Sequence, residues 1–164
     1  MFFRCCGFIL ALCFLSSSVG AVSVFGGTVV FVSDGDTLWV QPQRGGKARK
    51  LRIDGIDAPE ICQAGGELSR QTLMQWTLHQ PVQVSVRAKD KYDRGLAKVF
   101  LRGEDVGERM VRAGQAWSYR WQQDAGPYAA QESLARQSRR GLFAAARPER
   151  PSHFRKRHGP CHSD

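Results

Sequence analysis

Apolar residues follow two rhythms along this chain. Thr28–Val32 is an apolar, β-branched run, which predicts a well-buried strand. Asp34-Gly35 is a two-residue hairpin signal, and Thr37–Gln41 returns as a second strand. After a Gly-rich basic loop, Arg44–Lys47, a third strand spans Ala48–Ile56, with Leu51 and Ile53 on one face and Arg52 and Asp54 on the other. Val82, Val84 and Val86 alternate with Gln83, Ser85 and Arg87, the clearest half-buried strand. Leu96–Leu101 makes a fifth. The period becomes helical over Glu67–Leu78, where Leu68, Leu73 and Trp76 share a face ahead of Pro81. It is helical again over Val106, Met110 and Ala113, with Gly114 at the C-cap. A last helix runs from Tyr128 to Arg140, opened by Pro127 and ended at Gly141. Short strands in this order predict a small closed barrel, which leaves no exposed sheet edge. The expected fold class is mainly β with helices: a five-stranded OB-fold barrel plus about three helices.

The two ends of the chain depart from this pattern. Residues 1–21 read as a signal peptide, with Arg4, the apolar run Phe8–Leu15 and small residues up to Ala21. That run is too short to span a bilayer. The expectation is cleavage after Ala21, a secreted or periplasmic protein, and no stable membrane insertion after processing. Residues 22–147 form one domain, and the Pro-, Arg- and His-rich stretch 148–164 reads as a basic, disordered tail. Its residues His153, His158, Cys161 and His162 match no standard zinc spacing. Cleavage would remove Cys5, Cys6 and Cys13 and leave Cys62 and Cys161. One disulfide is the economical reading of two cysteines in an exported protein, and two free thiols are the alternative.

Charge narrows the partner. With 24 Lys and Arg against 15 Asp and Glu, the net charge is +9, which calls for an anionic partner such as nucleic acid or an acidic surface. Arg155-Lys156-Arg157 in the tail would add nonspecific attraction to phosphates.

The chemistry concentrates in Leu51–Glu60, LRIDGIDAPE. Gly55 interrupts the strand pattern, and Pro59 holds Ala58 extended, so Asp57 and Glu60 leave the strand end in fixed directions. Asp34-Gly35-Asp36 adds a second acidic turn upstream. Carboxylates from two turns suit a hard divalent cation. A further acid and two guanidinium groups, Arg52 and Arg94, suit hydrolysis of an anionic ester.

In this order and spacing, the segments Val32–Thr37, Arg52–Glu60 and Asp90–Ala97 resemble the thermonuclease, or staphylococcal-nuclease-like, family over roughly Gly26 to Phe143. The resemblance implies an OB-fold enzyme that cuts DNA and RNA with Ca2+ and leaves 3′-phosphate ends. It implies that Asp36, Asp57 and the Ala58 carbonyl bind the calcium and that Glu60 is the general base or water-positioning group. Arg52 and Arg94 would hold the scissile phosphate, and Lys91 and Tyr92 would line the neighbouring phosphate site. Either Tyr119 or Trp121 would stack on a base, although Trp117, Tyr119 and Trp121 could equally be core. The chain departs from the best-known member at Ala58, where that member has Thr, and at Asp93, where it has Gly. A monomer is expected. The alternative from another class is a catalytically inactive OB-fold module that only binds nucleic acid.

Overall fold

The structure, a computed structural model, describes residues 22–159 and residue 161, so the signal-peptide reading of residues 1–21 lies outside it, as does His162. Strands β1 (Ser23–Val32), β2 (Thr37–Pro42) and β3 (Arg49–Ile53) form an antiparallel meander. β4 (Ile56–Asp57) and α1 (Gly66–Thr77) precede β5 (Pro81–Lys89) and β6 (Gly95–Leu101). β5 lies antiparallel between β1 and β6, and β6 returns parallel to β3. That last pairing closes β1, β2, β3, β6 and β5 into the expected five-stranded barrel. β7 (Glu104–Asp105) extends β6, while β8 (Trp117–Ser118) pairs with β4 as a separate ribbon. Three further helices follow: α2 (Val106–Arg112), α3 (Ala129–Gln137) and α4 (Pro151–His158), with a 3-10 turn at Gly141–Ala144.

Alternation explains the barrel interior. Val29, Leu38, Val40, Leu51, Ile53, Val84, Ala97 and Val99 are buried in one core, joined by Leu73 of α1 and by Val106 and Met110 of α2. A second cluster, Trp117, Ala135, Leu142 and Phe143, ties β8 to α3 and the 3-10 turn.

Several expectations need correction. The third strand does not run through to Ile56: Asp54 and Gly55 form a turn, Gly55 at φ 85°, and the chain restarts as β4. A left-handed residue cannot continue a strand, and glycine occupies it without strain. The β1–β2 link is not a two-residue hairpin. Ser33–Asp36 span it, closed by Ser33 N–H donating to the Thr37 carbonyl at 2.9 Å. Leu68 leaves the core at 53 % exposure, because Gly66, Ser69, Leu73 and Thr77 set the buried face of α1. α3 stops at Gln137, short of the expected Arg140.

The largest correction concerns the tail. Residues 151–158 are helical, where the composition predicts disorder. Pro151 at the first turn and four basic residues in the last turn suit the helix geometry and dipole. Its apolar face is meagre, so its order comes from tethers. Cys62 and Cys161 are joined by a disulfide with Cα atoms 5.8 Å apart. Gln63 Nε2 donates to the Glu149 carbonyl at 2.8 Å on the other side of the helix.

One buried acid holds the ribbon, α3 and the tail together. Glu132 is 1 % exposed, accepts from Ser118 N–H at 3.0 Å and from Arg136 Nε at 2.9 Å, and pairs with Arg120 and Arg150. Replacing it leaves a buried N–H without an acceptor and strips three arginines of their shared partner. Glu132→Ala should therefore cost about 2–3 kcal/mol, read as a lower denaturant midpoint at unchanged slope.

Candidate active site

The turn between β1 and β2 and the end of β3 with β4 deliver the acids to one mouth of the barrel. Asp34 Oδ1 accepts from Asp36 N–H at 2.9 Å, a local turn that sets Asp36. Asp36 Oδ2 then accepts from Ala58 N–H at 3.1 Å, which stitches the two turns together. Gly35 is needed at this seam for space. A Cβ there would overlap Ser69 Oγ and come within 2.7 Å of the Ala58 Cβ. Gly35→Ala should push the two turns apart, costing about 1–3 kcal/mol and weakening any function that needs Asp36 and Asp57 side by side.

Arg52 bridges both acids. Its Nη2 lies 3.1 Å from Asp36 Oδ2 and 3.2 Å from Asp57 Oδ1. The Asp36 charge beside it raises the Arg52 guanidinium above its ordinary value, so it stays charged at any working pH. Burial, then the Asp36 charge, pushes Asp34 up to about 7, and the same two causes raise Asp57.

Parallel pairing of β3 with β6 sets Leu51 opposite Gly95, which brings Arg94 to the same mouth. Arg94 Nε donates to Asp90 Oδ2 at 2.8 Å and Nη1 to Thr37 Oγ1 at 3.2 Å. The acid that orients Arg94 is thus Asp90. Asp93, the neighbour of Arg94 in sequence, is a loop residue at φ 60° and points away to Lys89 at 2.5 Å.

An open cavity of about 1080 Å³ is lined by Asp34, Asp36, Arg52, Ala58, Glu60, Lys91, Tyr92, Arg94, Tyr119 and Trp121. Asp57 lies beneath it, covered by guanidinium groups. Lys91 and Arg94 both approach the Tyr92 ring, at 5.0 and 5.3 Å from its centroid. Of the three aromatics, Trp117 is core at 1 % exposure, edge-on to Phe143. Tyr119 and Trp121 line the cavity, Trp121 at 67 % exposure and Tyr119 beneath the Arg52 guanidinium.

A model of the family described as staphylococcal nuclease homologue matches residues 50–145. The chain is 36 % identical to a micrococcal nuclease of Shigella flexneri over 151 residues, covering 85 % of each chain. It is likewise 36 % identical to an uncharacterized endonuclease of Haemophilus influenzae over 128 residues, 78 % of this chain and 71 % of the other. The chain belongs to the staphylococcal nuclease family. A staphylococcal-like nuclease of Arabidopsis thaliana is 33 % identical over 110 residues, 67 % of this chain but 34 % of that longer protein. This member is accordingly a nuclease, a phosphodiesterase with nucleic acid as substrate.

Sequence reasoning about this nuclease missed one residue of the site, Arg155. Its Nη1 lies 2.8 Å from Glu60 Oε1 and 3.1 Å from Asp57 Oδ1, and it lines the same cavity. The signal that pointed to it was Cys161: a cysteine pairing two residues past Glu60 must bring the tail to the site.

The donor set of this staphylococcal nuclease relative fits a hard cation in part. One positively charged nitrogen, Arg52 Nη2, already sits within reach of oxygens from Asp36 and Asp57, and burial together with the Asp36 charge raises Asp34 and Asp57. Among the described residues no three Cys, His, Asp or Glu side chains converge as a complete ligand set. The chain therefore offers a partial oxygen shell of the kind that water and substrate oxygens complete.

Proposed function

We propose that this nuclease is an exported, monomeric, calcium-dependent enzyme that hydrolyses DNA and RNA with little sequence preference and leaves 3′-phosphate ends. The observation that carries this reading is the convergence of Asp36, Asp57, Glu60, Arg52 and Arg94 at one barrel mouth, in the order the family motif demands. The Cys62–Cys161 disulfide supports an oxidising compartment.

Asp36, Asp57 and the Ala58 carbonyl would hold the calcium, which when bound would polarise the phosphate and lower the cost of charge on its oxygens. Glu60 takes a proton from a water placed in line with the 5′-oxygen. The water oxygen bonds to phosphorus, the bond to the 5′-oxygen breaks, that oxygen takes a proton from solvent and leaves as a 5′-hydroxyl, and the phosphate stays on the 3′ side. Arg52 and Arg94 grip the non-bridging oxygens with planar forks, and their attraction grows as charge builds at phosphorus. Lys91 and Tyr92 hold the adjoining phosphate. Tyr119 or Trp121 stacks on an unpaired base, worth about 1–3 kcal/mol, which favours single strands.

The test uses end-labelled single-stranded DNA and RNA with calcium or with a chelator. Calcium-dependent cutting to 3′-phosphate ends is the expected result. Binding without cutting would leave only a nucleic-acid-binding barrel, and 5′-phosphate products would overturn the assigned line of attack.

A further inference from the structure

Glu60 carries its carboxylate on a flexible side chain in the turn after Pro59, so something must aim it. Among the described residues, the side chain that hydrogen-bonds this carboxylate is Arg155, with Nη1 2.8 Å from Oε1. The same fork reaches Asp57, Nη1 at 3.1 Å from Oδ1 and Nη2 at 3.3 Å from Oδ2. Glu60 Oε2 is left without a protein donor among the described residues, free for a water.

An arginine from a basic tail is ordinarily a surface charge, and a surface ion pair contributes little. Here the backbone that carries it is anchored on both sides. Before α4, the Glu149 carbonyl accepts from Gln63 Nε2, while Gln63 Oε1 accepts from the Glu60 N–H at 3.3 Å. After α4, Cys161 is bonded to Cys62. Both anchors fall on residues 62 and 63, within one turn of the acid that Arg155 holds. A helix tied at each end to the Glu60 turn presents its guanidinium to that turn at a fixed distance, so the pairing is built in rather than incidental.

We propose that Arg155 is a positioning residue, which holds the Glu60 carboxylate in its working direction, and that α4 with the Cys62–Cys161 bridge serves to present it. The proposal rests on Glu60 acting as the base. The helix is thereby part of the active site rather than a tail beyond the domain.

The test compares Arg155→Ala, Arg155→Lys and Cys161→Ser with the unaltered protein on single-stranded DNA in calcium. Arg155→Ala should lower kcat by about 10- to 100-fold with KM within about twofold. Arg155→Lys should recover part of the loss, since one ammonium reaches one acid where the fork reached two. Cys161→Ser should fall in the same direction by less. In a Glu60→Gln background, Arg155→Ala should cost nothing further, because a residue acting through Glu60 has nothing left to position. Calorimetric titration with calcium should show the Arg155→Ala protein binding at least as tightly, since a competing cation has left Asp57.

An unchanged kcat in Arg155→Ala would overturn the proposal. So would a faster enzyme, the mark of a plug, or a raised KM at full kcat, the mark of a substrate contact. A full loss persisting in the Glu60→Gln background, or weaker calcium binding, would make Arg155 merely structural. If the unaltered protein does not cut, the nuclease mechanism itself fails and this proposal with it. If it cuts and Arg155→Ala is indifferent, this proposal alone fails.

Discussion

Glu60→Gln should lower turnover by about 10²- to 10⁴-fold while leaving the thermal midpoint and calcium affinity close to those of the unaltered protein. The substitution keeps the shape of the side chain and its acceptor toward Arg155, but an amide cannot take a proton from water. The contrast between chemistry and binding is what makes the experiment decisive. Single-turnover rates at saturating DNA, set beside calorimetric calcium binding, separate the two. Equal loss of calcium binding and rate would move Glu60 from the base to the metal shell. Turnover unchanged within a factor of two would remove it from the mechanism.

Arg52→Ala should lower kcat by about a thousandfold or more and, unlike Glu60→Gln, should also weaken the fold. Two functions meet in this side chain. Its fork would grip the substrate phosphate, and its Nη2 also stands between Asp36 and Asp57. Removing it leaves these acids and Asp34 facing one another with less counter-charge, so the variant should also lose stability in chelator. Added calcium should restore more of that stability than it adds to the unaltered protein. Melting with and without calcium reads this difference directly. Arg52→Lys, which keeps the charge but not the fork, should retain most of the stability and recover only part of the rate. A variant that loses rate but melts identically in chelator would show that Arg52 touches substrate without balancing the acids.

Legibility followed range along the chain. Asp36, Arg52, Asp57 and Glu60 were readable because two short turns fix their directions, and Arg94 because Asp90–Ala97 repeats a recognisable pattern beside them. The barrel was readable because alternation along β5 and the apolar run of β1 are local signals. What escaped was decided between distant segments. Leu68, Leu73 and Trp76 satisfy helical spacing, and Leu73 and Trp76 do pack on the core, yet Leu68 is exposed while Ser69 and Thr77 turn inward. Asp93 stands next to Arg94 in sequence, while the left-handed turn at Asp93 hands the arginine to Asp90. The tail shows the limit most clearly. Residues 151–158 carry almost no apolar periodicity, so composition predicts disorder, and the disulfide, hydrogen-bond and ionic ties to the Glu60 turn that hold the helix in place join segments far apart in the chain.

The β3–β6 pairing also sets the order in which the site can assemble. Arg52 and Arg94 share a mouth only because these two strands, far apart in the chain, lie side by side. Contacts of such long range form late, since the chain must first give up the freedom of the loop between them. Until β6 docks on β3, Arg94 has no fixed place beside Arg52, so the arginine pair is complete only when the barrel closes.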